Sequence, residues 1–314
     1  MPVRTALRPM LALSNRFERP TPPGLSIQAR RQADARGPLQ MRIVTARGRI
    51  RVLTRDHHVP VDGGTIVVRS YRTADATRTR PAHVYLHGGS FWLGSVADYD
   101  PICRWYAGAT DAVIVSVDYR LAPEHPFPTG LEDAYAALVW VVEHAVELGI
   151  DPARVSVGGF SAGGALAAAV AILARDRGGP AVVLQALESP ILDLTLGEPS
   201  VTEFGIGYGL TRASLVEAYG FYLPEPDQSR DPYASPLLAP DVSGLPPAFV
   251  LTCECDPLRD EGEAYAHRLS GAGVTTQLYR APGLVHGSIY LTRFLPAARR
   301  AVAQTVAALR AAYA

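Results

Sequence analysis

Short unbroken apolar runs recur along the chain, and stretches of three-and-four apolar spacing lie between them. "HHVPV" and "GGTIVVRSY" read as two strands around an Asp-Gly-Gly turn at residues 62–64. "AHVYLHGG", "DAVIVSVDYR", "RVSVGG", "AVVLQALESP", "PAFVLTCECD" and "TTQLYRAP" read as further buried strands. Helical patterns fall on "LEDAYAALVWVVEHAVELG", closed by Gly149, on the alanine-rich run from Ser161, on "RDEGEAYAHRLSGAG", and on "RFLPAARRAVAQTVAALRAAYA". Continuous apolar strands alternating with helices predict an α/β fold whose mostly parallel sheet is covered on both faces.

The alternation fails in two places. Residues 1–55 carry Pro20, Pro22, Pro23, Gly24, Gly37 and Pro38 between short helical patterns, and read as an appendage to a core of residues 56–192 and 237–314. Residues 193–236 are rich in glycine, tyrosine and proline, long enough for one or two helices that could serve as a lid.

Charge sharpens this division. All 30 basic residues are arginine, balanced by 30 acids. Residues 1–55 hold 12 arginines against Glu18 and Asp34, a net of +10, so the rest carries −10. A basic arm can bind nucleic acid or an anionic membrane. No nucleic-acid motif accompanies this one, so the arm is expected to fold back on the acidic body. The three cysteines make no disulfide framework, and no histidine pattern near Cys253 and Cys255 suggests zinc. Neither a signal-peptide core nor an apolar run near the roughly 18 residues of a membrane span is found, which predicts a cytoplasmic protein.

Gly159-Phe160-Ser161-Ala162-Gly163 fits G-x-S-x-G between a strand and a helix. The glycines permit a sharp turn that leaves the serine exposed at the sheet's C-terminal edge, although a glycine-rich helix start has the same composition. A serine hydroxyl needs a base, and the base an orienting acid. Downstream, Asp256 is the first acid after a strand, and His286 follows the next strand 30 residues on. Asp260 is the rival acid and His267, inside a helix, the rival base. "YLHGGSFWLGS" places Gly88 and Gly89 directly after a strand, where their N–H groups, with that of Ala162, could bind an oxyanion.

"HGGSFWLGS", "DYRLAPEHPFP", "GGFSAGG", "DPYASPL", "LPPAFVLTCECDPLRDEG" and "VHGS" occur in an order that resembles the hormone-sensitive-lipase-like carboxylesterases, the bacterial family IV type of the α/β-hydrolase superfamily. The resemblance implies an eight-stranded sheet, with a cap built from residues 1–55 and 193–236. It implies Ser161, Asp256 and His286 as the triad, and Gly88, Gly89 and Ala162 as oxyanion donors. Residues 118–128 become a structural loop under the pocket. No metal or cofactor is implied, the partner is a small acyl ester, and a homodimer through the last edge strand is possible.

Four positions depart from that pattern: Ser90 for the third glycine of "HGGG", Phe160 for a polar residue before the nucleophile, Glu188 for an apolar residue, and Ser288 for an aromatic. They leave substrate choice open. The expected pocket wall comprises Ser90, Phe91, Trp92, Phe160, Glu188, Tyr208, Tyr219 and Ile289, with Phe221 beside them. Glu188 is expected near the elbow. There it would either tie down main-chain N–H groups or position the deacylating water or a polar substrate group. An amide or N-acetyl hydrolase keeps the same chemistry. A non-catalytic receptor on this scaffold is the other alternative.

Overall fold

The computed structural model describes residues 3, 7, 8, 11, 26–34, 37–46, 50–74 and 78–314 of the 314-residue chain. Two short helices, α1 (Ile27–Asp34) and α2 (Gly37–Val44), precede the sheet. Strand β1 (Val52–Val61) then returns as β2 (Gly64–Thr73) through Asp62 and Gly63, with Val61 paired to Gly64 and Gly63 at φ 71°. Thus β1 starts before residue 56, inside the segment expected to be appendage.

β3 (Arg80–Leu86), β4 (Val113–Asp118), β5 (Ile150–Phe160), β6 (Gln185–Glu188), β7 (Ala248–Cys255) and β8 (Thr276–Val285) complete an eight-stranded sheet in the order β1-β2-β4-β3-β5-β6-β7-β8. β1/β2 and β2/β4 are antiparallel and the other pairs parallel. Parallel neighbours need crossover helices, which here bury both faces.

The crossovers are α3 (Val96–Thr110), α4 (Thr129–Glu143) with the one-turn α5 (Ala145–Leu148), and α6 (Ala162–Asp176). After β7 come α9 (Arg259–Gly271) and, after β8, α10 (Pro296–Ala312). α4, α6 and α9 pack on one face, whose core includes Val84, Val115, Val157, Leu187 and Val250. α3 and α10 pack on the other, around Tyr85, Ile114, Ala186, Phe249 and Cys253. Every residue of α6 from Ala162 to Ala174 is buried, so its small side chains let the helix lie close against the strands. Cys103, Cys253 and Cys255 are free and buried.

The 193–236 stretch supplies α7 (Pro199–Glu203) and α8 (Arg212–Tyr222). Arg31 of α1 joins the arm to the body. Its Nε donates to Trp92 O at 2.8 Å and its Nη2 to Ala122 O at 2.6 Å, and its guanidinium forks onto Glu124. After α2, Val44 O accepts from Arg293 N and Ala46 N donates to Thr292 Oγ1. Further upstream, the buried Val3, Leu7 and Leu11 keep a four-residue spacing. Among the described residues, no helix is long and apolar enough to cross a membrane.

Candidate active site

β5 ends in Phe160, and Ser161 turns the chain into α6 with φ 57° and ψ −119°. A non-glycine residue held there is strained and must be fixed by its surroundings. Ser161 N donates to Glu188 O at 2.9 Å, and Ile191 N donates to Ser161 O at 3.2 Å. The glycines are required by space. A Cβ on Gly163 would lie 2.0 Å from Leu86 O, and one on Gly159 2.3 Å from the same atom. The turn therefore closes directly on the end of β3.

His286 follows β8 and Asp256 follows β7, both at the C-terminal edge of the sheet where Ser161 stands. Nε2 of His286 is 3.1 Å from Ser161 Oγ, and Nδ1 is 2.8 Å from Asp256 Oδ2. The second oxygen of Asp256 accepts Leu258 N–H at 3.0 Å, which fixes the carboxylate's plane. A carboxylate on Nδ1 puts the proton there and leaves the Nε2 lone pair facing the serine. The rivals lie elsewhere. Asp260 accepts from Ser200 N and Arg259 Nε, tying α9 to α7, and His267 is exposed on α9.

Gly88 and Gly89 form the loop after β3. Gly89 has φ 133°, and a Cβ on it would meet Leu93 O at 2.1 Å. Ser90 and Phe91 continue in the left-handed region at φ 52° and 68°. Tyr119 Oη holds this loop by donating to His87 O at 2.8 Å, with the two rings stacked 4.3 Å apart. Among the described residues none accepts the N–H of Gly88 or Gly89. Ala162 is the first residue of α6, where an N–H lacks an intrahelical partner. Donors of this kind at a helix N-terminus favour developing negative charge.

The expected wall residues divide. Trp92 packs edge-on against Phe221 at 5.3 Å, with the Arg30 guanidinium over both rings. Tyr208 is half-buried against Phe204, and Tyr219 is buried with its hydroxyl unpartnered among the described residues. Phe160 lies 4.9 Å from the His286 ring. Three of the expected residues, Ile289, Phe91 and Glu188, are 2% exposed or less. Ile289 is fully buried among core residues, because the turn Ser288–Tyr290 points it inward. Phe91 stacks on Tyr222 at 3.8 Å and belongs to the core.

Glu188 is 1% exposed, and its carboxylate faces hydroxyls of Tyr106, Tyr290 and Thr305 in place of substrate. Burial pushes its carboxyl up from the usual range, and those three hydroxyls pull it back. Its main-chain carbonyl takes the elbow's N–H, a service any residue there would give. Arg31, Tyr119 and Tyr290 were not legible as site residues. Their partners lie 32 to 205 residues away in the chain, beyond any local pattern.

A serine, an imidazole and a carboxylate in one hydrogen-bonded line, with free main-chain donors nearby, can carry out acyl transfer. Residues 83–290 match the model of an alpha/beta hydrolase fold family. The chain belongs to the α/β-hydrolases, in their hormone-sensitive-lipase-like branch. It is 45% identical over 258 residues to the carboxylesterase NlhH of Mycobacterium tuberculosis, covering 81% of each chain. It is 40% identical over 252 residues to an ethyl acetate hydrolase of Pseudomonas putida, covering 79% of each. Among solved structures, a hyperthermophilic esterase of Pyrobaculum calidifontis superposes with a TM-score of 0.89 at 40% identity, covering 100% of both chains.

Proposed function

We propose that the chain is a serine carboxylesterase that cleaves short- to medium-chain acyl esters through an acyl-enzyme. The Ser161–His286–Asp256 line at the strained elbow carries this reading. Ser161 Oγ attacks the ester carbonyl as its proton passes to His286 Nε2. The carbonyl oxygen gathers charge against Gly88, Gly89 and Ala162 N–H. His286 returns the proton to the departing alcohol, then takes one from the water that attacks the acyl-enzyme. Asp256 holds the imidazole's tautomer and steadies the imidazolium.

A modest acyl group fits the surroundings. Trp92 and Tyr219 are buried aromatic rings, and α1 is fastened over the glycine loop by Arg31. The cap of this reading is residues 1–55 with 193–236. The relative that hydrolyses ethyl acetate fits a small substrate. Free buried cysteines suit a reducing, cytoplasmic setting. β8, at the sheet's edge, is the strand along which two copies would pair.

The test is turnover of p-nitrophenyl esters of graded chain length, with labelling by a serine-directed phosphonate. Ser161→Ala and His286→Ala each remove roughly 10⁴-fold or more of kcat while the protein stays folded. Wild-type turnover in folded His286→Ala would show that another group is the base.

A further inference from the structure

The parallel register pairs Phe160 with Glu188, so both side chains leave the same face of the sheet. There Glu188 is sealed from solvent. Tyr106 and Thr305 donate to its Oε1, Thr305 at 2.8 Å, and Tyr290 donates to Oε2 at 3.1 Å. Tyr85 Oη lies 2.8 Å from Tyr290 Oη. The donors come from α3, from α10 and from the turn after His286. Among the described residues no arginine pairs with this carboxylate, so hydroxyls alone hold it.

Such a group is costly to bury, and an apolar residue would pack the same space more cheaply. Its position suggests what it does. Tyr290 is the residue four places after His286, and its ring meets Phe160 edge-on at 5.0 Å. Phe160 in turn lies 4.9 Å from the His286 imidazole. It also fills the space beside Gly88, where an added Cβ would meet Phe160 Cδ1 at 2.7 Å. Phe160 directly precedes Ser161. One ring therefore touches the imidazole, the glycine loop and the elbow, and its outer side rests on the tyrosine that Glu188 holds.

We infer that Glu188 is a positioning residue for ester hydrolysis: through Tyr290 it holds Phe160 as the wedge that sets His286 and Gly88 against Ser161. The inference rests on the esterase reading above. It assigns Glu188 no contact with substrate and no proton transfer. A loosened wedge leaves the binding of the ester intact and misplaces the base and the oxyanion donors, so kcat falls and KM does not.

Tyr290→Phe removes one hydroxyl and keeps the ring. It lowers kcat about tenfold, since small displacements of reacting groups are expensive. KM stays within about twofold, and phosphonate labelling of Ser161 slows by the same factor as kcat. Glu188→Gln behaves alike. The double variant is no slower than the slower single one, because both act along one path. Should Glu188→Gln not fold, Tyr290→Phe and Thr305→Val carry the same test. Wild-type kcat and labelling per folded molecule, with only the melting temperature lowered, overturn the inference and leave Glu188 a packing group. Turnover in Ser161→Ala would instead overturn the esterase reading, and that result does not depend on Glu188.

Discussion

Glu261, near the first turn of α9, keeps one carboxylate oxygen occupied. Oε1 accepts Leu192 N–H at 2.8 Å, and Oε2 has no partner among the described residues. Burial pushes this carboxyl well above the usual range, with Asp193, Asp256 and Glu198 adding to the effect. The folded protein thus holds the proton to higher pH than the unfolded chain does. Stability from Glu261 is full below about pH 4.5, the ordinary glutamate value, and is lost as pH rises toward the folded value. Glu261→Gln cannot ionise. Its stability relative to wild type should therefore rise as the pH is taken from about 5 to about 8. Denaturant midpoints of both proteins at the two pH values check this, and a constant difference would mean that Glu261 does not titrate on unfolding. At this scale Ser161, Asp256 and His286 were readable because each follows a strand. Glu188's partners were not, since Tyr106 and Thr305 lie 82 and 117 residues away in sequence.

At the scale of elements, the glycines of the elbow and of the cap do opposite things. Gly163 sits where any Cβ meets main-chain oxygens of β3 and His87, none of which can swing aside. Gly163→Ala should cost about 3 kcal/mol or more and abolish turnover. Gly220 lies exposed within α8, with nothing within 4 Å of an added Cβ. Gly220→Ala should therefore add about 0.5–1 kcal/mol by lowering the freedom of the unfolded chain. Chemical denaturation separates the two, and a loss in Gly220→Ala would mean that α8 needs its flexibility there.

The sheet was legible from its apolar runs, but α3 was not. Its sequence "VADYDPICRWYAGAT" carries Pro101 and aspartates that argue against a helix. The signal was upstream: Ser95 caps Asp98 N–H and donates to the Asp98 carboxylate. The helix of 131–149 is likewise interrupted at His144, whose N–H bonds Trp140 O.

Across the whole molecule, residues 1–55 carry +10 and the rest −10, and the described contacts join the two parts. Arg30 pairs with Glu217 of α8 and lies over Trp92 and Phe221, while Arg31 pairs with Glu124 and takes two loop carbonyls. Leu11 reaches within 3.8 Å of the Cβ position of Gly209. The described part of the arm thus touches both the glycine loop and 193–236. Most of residues 1–25 lie outside the described residues, so an arm spread over the whole mouth is tested in solution.

Arg31→Ala removes the donors on Trp92 O and Ala122 O and leaves the triad untouched. α1 should then loosen from the loop, and longer acyl chains should gain room. We expect the octanoate-to-acetate ratio of kcat/KM to rise about fivefold, with acetate kcat within about threefold of wild type. Raising salt from about 0.05 to 0.5 M should move wild type the same way, because the Glu124 and Glu217 pairs are half-exposed and screened. Arg31→Ala, lacking one of those pairs, should respond less. An unchanged ratio in the folded variant, at either salt, would mean that the arm only shields the sheet and that Trp92, Tyr219 and Phe221 alone set acyl length.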